Sequence, residues 1–234
     1  MSDKHESEVV EQSVQFSGID PWLAIFSNPT PEMAVEYLNA DAIEKCAYVD
    51  EVDDDIAVIT GPSSRVVLAE DEVVSGFPFL KGEQFENCQV RAVTESPDSD
   101  GLEAVVTVVH ESGFELNFFA TDYAFNDDHY EEDSEIKVNL IALAYGVRPA
   151  QSIEEDTALV PMENLASYVA NGTVSDLTEH KLGEIKGWLV KLQVSPDLNL
   201  PFFVRHENVS IQLAVGKQVE VALWLSGTTE DNNN

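Results

Sequence analysis

Five histidines, two cysteines and 44 carboxylates are the side chains here that could do chemistry, and their spacing selects none of it. His5, His110, His129, His180 and His206 form neither an HExxH motif nor any i,i+4 pair, and Cys46 and Cys88 lack a CxxC partner. Zinc and other transition-metal chemistry is therefore unsupported. Motifs of the GxGxxG, GxxxxGK[ST] and GxSxG types are absent, so the sequence offers neither a phosphate cradle nor a nucleophile elbow. A carboxylate pair could serve glycoside hydrolysis, but with 44 candidates that requirement singles out no pair. The dense runs Asp50-Glu51-Val52-Asp53-Asp54-Asp55 and Asp127-Asp128-His129-Tyr130-Glu131-Glu132-Asp133 match no calcium loop and read as solvated acidic loops. Asp98-Ser99-Asp100-Gly101 reads as a hairpin turn. The expectation is a protein that is not an enzyme and needs no cofactor or metal.

Charge narrows the partners. Twelve Lys+Arg against 44 Asp+Glu leave a formal charge of −32 over 234 residues. Residues 1–160 hold 35 acidic and 7 basic side chains, whereas 161–234 hold 9 and 5. The first part must repel duplex nucleic acid and anionic lipid, which bind by giving up counterions to Lys and Arg. A basic protein would be attracted. No window approaches eighteen consecutive apolar residues, and the opening MSDKHESEVVEQS lacks the basic and apolar regions of an export signal. A cytoplasmic protein without a membrane span is expected, with both cysteines reduced.

The elements that must position any site are mostly strands. Residues 1–18 and 229–234 are polar and acidic and are expected to be disordered tails. A helical segment is expected over 19–54. In it Pro21–Phe26 forms an apolar anchor, and Thr30-Pro31-Glu32 opens a helix over about 31–46 with an N-cap, a first-turn proline and an acid. Strand-like runs follow at Ile56–Thr60, Arg65–Ala69, Val90–Thr94, Leu102–Val109, Phe114–Ala120 and Ile136–Tyr145. Residues 149–160 read as a linker. Met162–Ala170 reads as a helix closed by Asn171-Gly172, and strands resume at Val174–Thr178, Ile185–Val194, Leu200–His206 and Gln218–Leu225.

The two strand-rich regions resemble each other. An offset of 84 pairs Val90 with Val174, Thr94 with Thr178, Val106 with Val190, Leu116 with Leu200, Phe118 with Phe202 and Phe119 with Phe203. An offset of 81 continues the match, Val138 to Val219 and Gly146 to Gly227. The fold class expected is mainly β with a few helices (α+β): two related small antiparallel OB-like barrels, an internal duplication, preceded by the helical segment. Residues 55–148 would form an acidic unit, and 161–228 a helix plus a near-neutral unit. SH3-like barrels or one β-sandwich are the alternatives.

In the second unit, alternation with Leu200, Phe202 and Val204 inward turns Phe203 and Arg205 outward, and Lys191 likewise between Val190 and Leu192. Val219, Val221, Leu223 and Leu225 inward place Trp224 on the opposite face. Lys191, Phe203, Arg205 and Trp224 are therefore the candidate binding residues. The leading expectation is recognition of a protein partner, basic in character. The alternatives are single-stranded nucleic-acid or oligosaccharide binding at the second unit, and nucleic-acid mimicry by the acidic first unit.

Overall fold

Thr30 begins a helix as its side chain dictates. In the computed structural model, which describes residues 20–52, 55–70, 72–97, 99–150, 158–163 and 165–230, Thr30 Oγ1 accepts from Met33 N at 3.4 Å and Pro31 occupies the first turn. Helix α1 covers Asp20–Leu23 and α2 Pro31–Leu38, continued by a π-helical turn over Asn39–Ile43. The wide turn carries Asp41 inward, where its carboxylate accepts from Ser63 N, Ser63 Oγ and Ser64 Oγ, each at 2.8 Å. The helix expected to reach residue 46 thus ends at Ile43. The expected helical segment then gives way to strand β1, Tyr48–Glu51.

The chain is mainly β, in two sheets. β1 joins β2 (Ile56–Thr60), β3 (Ser64–Ala69) and β4 (Glu72–Pro78) in an antiparallel four-stranded sheet of order β1-β2-β3-β4. Sequence reading assigned β2 and β3 to the same unit as the strands that follow; the ladders place them in this separate sheet. The large sheet holds β5 (Glu86–Glu95), β6 (Ala104–His110), β7 (Glu115–Ala120), β8 (Glu135–Pro149), β9 (Leu159–Pro161), β10 (Ser167–Leu182), β11 (Ile185–Ser195), β12 (Leu198–Arg205) and β13 (Gln218–Thr229). Between β7 and β8 lie helix α3, Tyr123–Asn126, and a 3₁₀ turn over Asp127–Tyr130.

Its ladders close two circuits. β5 pairs with β6, β6 with β7, β7 in parallel with β13, β13 with β8, and β8 with β5. In the same way β10 pairs with β11, β11 with β12, β12 in parallel with β8, β8 with β13, and β13 with β10. β8 and β13 belong to both. Registers correspond as well: Val90 opposes Val108 where Val174 opposes Leu192, and Val106 opposes Phe118 where Val190 opposes Phe202. Both first ladders slip at the same place, between Val90 and Ala92 and between Val174 and Asp176. Glu86 of β5 opposes Val138 of β8 and Ala170 of β10 opposes Val221 of β13, so residues 84 apart in the chain meet partners 83 apart. The offset of 81 for the last strand is therefore corrected to 83.

The expected helix over 162–170 is also corrected. Tyr168 and Ala170 alternate into the core, and β10 pairs with β13 on one side and β9 on the other, which satisfies its backbone twice over. Gly172 is no helix cap: a Cβ there would lie 2.5 Å from Gln193 O on β11, so glycine permits the close approach of two strands. β9, Leu159–Pro161, overlaps the end of the expected linker. The expected tail over 1–18, residues 151–157 of that linker, Asp53, Asp54 and Asp98 of the acidic loops, and 231–234 lie outside the described residues.

Two apolar cores result. One fills the circuits, with Val90, Val106, Phe118, Val190, Phe202 and Leu223 fully enclosed. The other lies between the small sheet, helices α1 and α2, and the outer face of the large sheet, where Trp22, Leu38, Phe77, Phe119, Leu143, Phe203 and Trp224 meet. Phe119 packs 4.8 Å from the Phe77 ring and 5.3 Å from Trp224.

Candidate functional site

Beside the second core a cavity of about 500 Å³ opens between the small sheet and the turn after β7. Arg65 of β3 is its buried cation. Strand β3 is covered on both faces at its start, so the side chain is only 3% exposed. Its Nε donates to Thr60 Oγ1 (3.0 Å), Nη1 to Thr121 O (2.6 Å) and Nη2 to the Tyr48 hydroxyl (3.2 Å). The guanidinium lies 4.0 Å over the Phe79 ring and 5.5 Å from that of Phe125. Among the described residues no carboxylate comes within ion-pair distance of it, in a chain whose carboxylates outnumber its Lys and Arg 44 to 12. Buried charges are ordinarily paired.

The opposite wall is built by Asp122, which precedes α3, with Asn139 of β8 and Thr228 and Thr229 of β13. The Asp122 carboxylate accepts from Tyr130 OH (2.5 Å), Thr229 N (2.9 Å), Thr229 Oγ1 (2.6 Å) and Asn126 Nδ2 (3.0 Å). It is fully engaged in tying the β7–β8 connection to the last strand. Burial first, and then the Asp122 charge, push the Tyr130 hydroxyl well above its ordinary range, so it stays a donor. Exposed Lys81 and Phe85 stand at the rim with Tyr48 and Asp50 of β1.

Another buried ionisable group joins the sheets: Glu103, 1% exposed, accepts from Ser75 Oγ of β4, and its Oε2 has no partner among the described residues. Burial raises its carboxyl to about 8, against a smaller lowering by Ser75. Cys88 is buried, and burial followed by the charges of Glu86 and Glu111 raises its thiol to about 12, which leaves it unreactive. His180 packs against Phe203 and His206 against Trp188.

The four residues singled out from sequence are differently placed from expectation. Phe203 and Trp224 do leave the inner core, but the face they occupy is the one the small sheet and the helices cover, and both are enclosed. Arg205 is buried at 7% exposure, donating to Asn208 Oδ1 (3.0 Å), Ser27 Oγ (3.4 Å) and Glu207 (3.4 Å). It clamps the segment after α1. Lys191 alone remains half-buried, opposite Pro201 and Asp176. An open aromatic-and-cation face is therefore absent among these four.

Exposure concentrates elsewhere. β1 is the edge of the small sheet, with no strand on its outer side among the described residues. Tyr48 and Val49 are exposed on it, Val52 and Ile43 beside it, and Glu44 and Glu51 are exposed around them.

No protein-family model matches the chain, and no curated protein matches it. Among solved structures, the cytoplasmic molybdate-binding protein ModG, in its molybdate-bound form, is similar to 63% of this chain over 97% of its own, with 15% identity and a TM-score of 0.39. No helix among the described residues is long and apolar enough to cross a membrane.

Proposed function

We propose that this is a non-enzymatic, cytoplasmic binding protein that recognises a basic protein partner, an extended segment of which adds to the open edge of β1. The observation that carries the reading is that edge: no strand on its outer side among the described residues, exposed Tyr48 and Val49, and the carboxylates of Glu44, Asp50 and Glu51 close by. Main-chain pairing supplies affinity at a sheet edge, alternate side chains supply specificity, and carboxylates favour Lys and Arg on the incoming strand. Behind it, we read the two circuits as OB-like barrels descended from one duplicated module. The matching ladders, the shared position of the register slip and the parallel pairings of β7 with β13 and of β12 with β8 support that reading.

Single-stranded nucleic-acid or oligosaccharide binding gains nothing from the geometry, because the Phe203 ring has no free surface to stack on. The test is titration of the full chain with a peptide of alternating Lys and Val, and with its Glu/Val counterpart, at about 50 and 300 mM salt. Binding of the Lys peptide alone, weakened by salt and by D50N/E51Q, is the expected result. Equal binding of both peptides, or none of either, refutes it.

A further inference from the structure

The cavity beside Arg65 has chemistry opposite to the acidic surface around it. A guanidinium carries five N–H donors, and three of them are used, all on neutral oxygens of Thr60, Thr121 and Tyr48. The charge itself is unanswered among the described residues, although burial without a counter-charge is costly. Phe79 lies under the guanidinium at 4.0 Å and Phe125 stands 5.5 Å away, giving the cation aromatic neighbours rather than a counter-charge. At the mouth stands Lys81, exposed and with no carboxylate within ion-pair distance among the described residues. Of the two carboxylates on the walls, Asp122 is held by four donors from its own side of the cavity, and Asp50 sits out at the rim on β1.

The geometry points to a binding site for a small organic anion, a carboxylate or phosphate carried on a flat apolar body. The anionic group meets the edge of Arg65 and the Lys81 ammonium, and the body lies against Phe79, Phe85 and Phe125. About 500 Å³ suits a ligand of that size. Arg is the side chain whose planar donor fork fits an oxyanion, and Lys at the entrance acts as a point charge. The site shares Tyr48 and Asp50 of β1 with that edge, but it takes a small anion rather than a basic segment and does not depend on a protein partner.

The test is calorimetric titration and thermal shift of the full chain with benzoate, phenyl phosphate, inorganic phosphate and benzyl alcohol. Benzoate or phenyl phosphate should bind saturably and raise Tm, the preference between them identifying the anionic group. Inorganic phosphate should bind more weakly, and benzyl alcohol should do neither. Arg65→Gln should abolish binding. Because that variant also loses the bond to Thr121, Lys81→Gln and Phe85→Ala, both at exposed positions, provide variants that keep the fold, each weakening affinity roughly three- to tenfold. The proposal is overturned if none of the anions binds, if the alcohol binds equally well, or if Lys81→Gln and Phe85→Ala leave anion affinity unchanged.

Discussion

Glu103 shows how one side chain couples this fold to pH. In the native protein its carboxyl holds a proton up to about pH 8, whereas once unfolded it ionises near its ordinary value of 4.5. Between those values the unfolded state binds fewer protons, so stability falls as pH rises through that window and is level above it, by up to about 1.4 kcal/mol per unit. Glu103→Gln is expected to remove that slope: its Tm advantage over wild type should be small at pH 5, grow towards pH 8 and then stop growing. A parallel pair of Tm curves would contradict it. Asp41 is a buried carboxylate whose three acceptor bonds hold the Ser63-Ser64 turn. Asp41→Ala takes the acceptor from Ser63 N and Ser64 Oγ and leaves Ser63 Oγ only the Tyr37 hydroxyl, and should cost about 2–4 kcal/mol in urea unfolding. Arg65 was legible in principle, as an arginine between Ser64 and Val66 at the start of an apolar strand. Nothing in the sequence said that its neighbours would be hydroxyls and rings rather than carboxylates, because Thr60, Thr121 and Phe125 reach it through tertiary packing alone.

Strands were more readable than helices because alternation leaves a mark in every second residue. Val190, Leu192, Leu200, Phe202, Val204 and the odd positions 219–225 all face inward as their parity demands. The same parity explains the register error: offsets of 81 and 83 differ by two residues, which returns every side chain to the same face, so only the ladder distinguishes them. β4 escaped notice because Ser75 and Gly76 interrupt its apolar run, and Gly76 is where Leu38 packs in, 2.4 Å from any added Cβ. Met162–Ala170 misled because a short apolar segment ending in Asn-Gly suits a helix locally, while the pairing that overrides it comes from β13, some fifty residues onward. Gly172→Ala separates the two situations. As a helix cap it would lose about 1 kcal/mol, but against Gln193 O the loss should reach about 2–3 kcal/mol, with faster amide exchange in β10 and β11 than elsewhere in the large sheet.

At the scale of the whole molecule, neither circuit is complete without a strand that follows or belongs to the other half. Residues 158–230 lack β8, to which both β12 and β13 bond. Expressed alone, that fragment should fail to give a cooperative thermal transition by circular dichroism, whereas a two-plasmid complement with residues 20–150 should restore one. The net charge of −32 acts on all of it together, and wild-type Tm should rise when sodium chloride is increased from about 20 to 200 mM, as self-repulsion is screened. The position of β13 also sets a timetable on the ribosome. β7 and β8 emerge early, but the strand that must lie between them is translated roughly a hundred positions after β7. Throughout that interval the nascent chain displays sticky borders able to zip onto a neighbouring polypeptide. Mutual repulsion among so many carboxylates opposes such contacts between nascent chains.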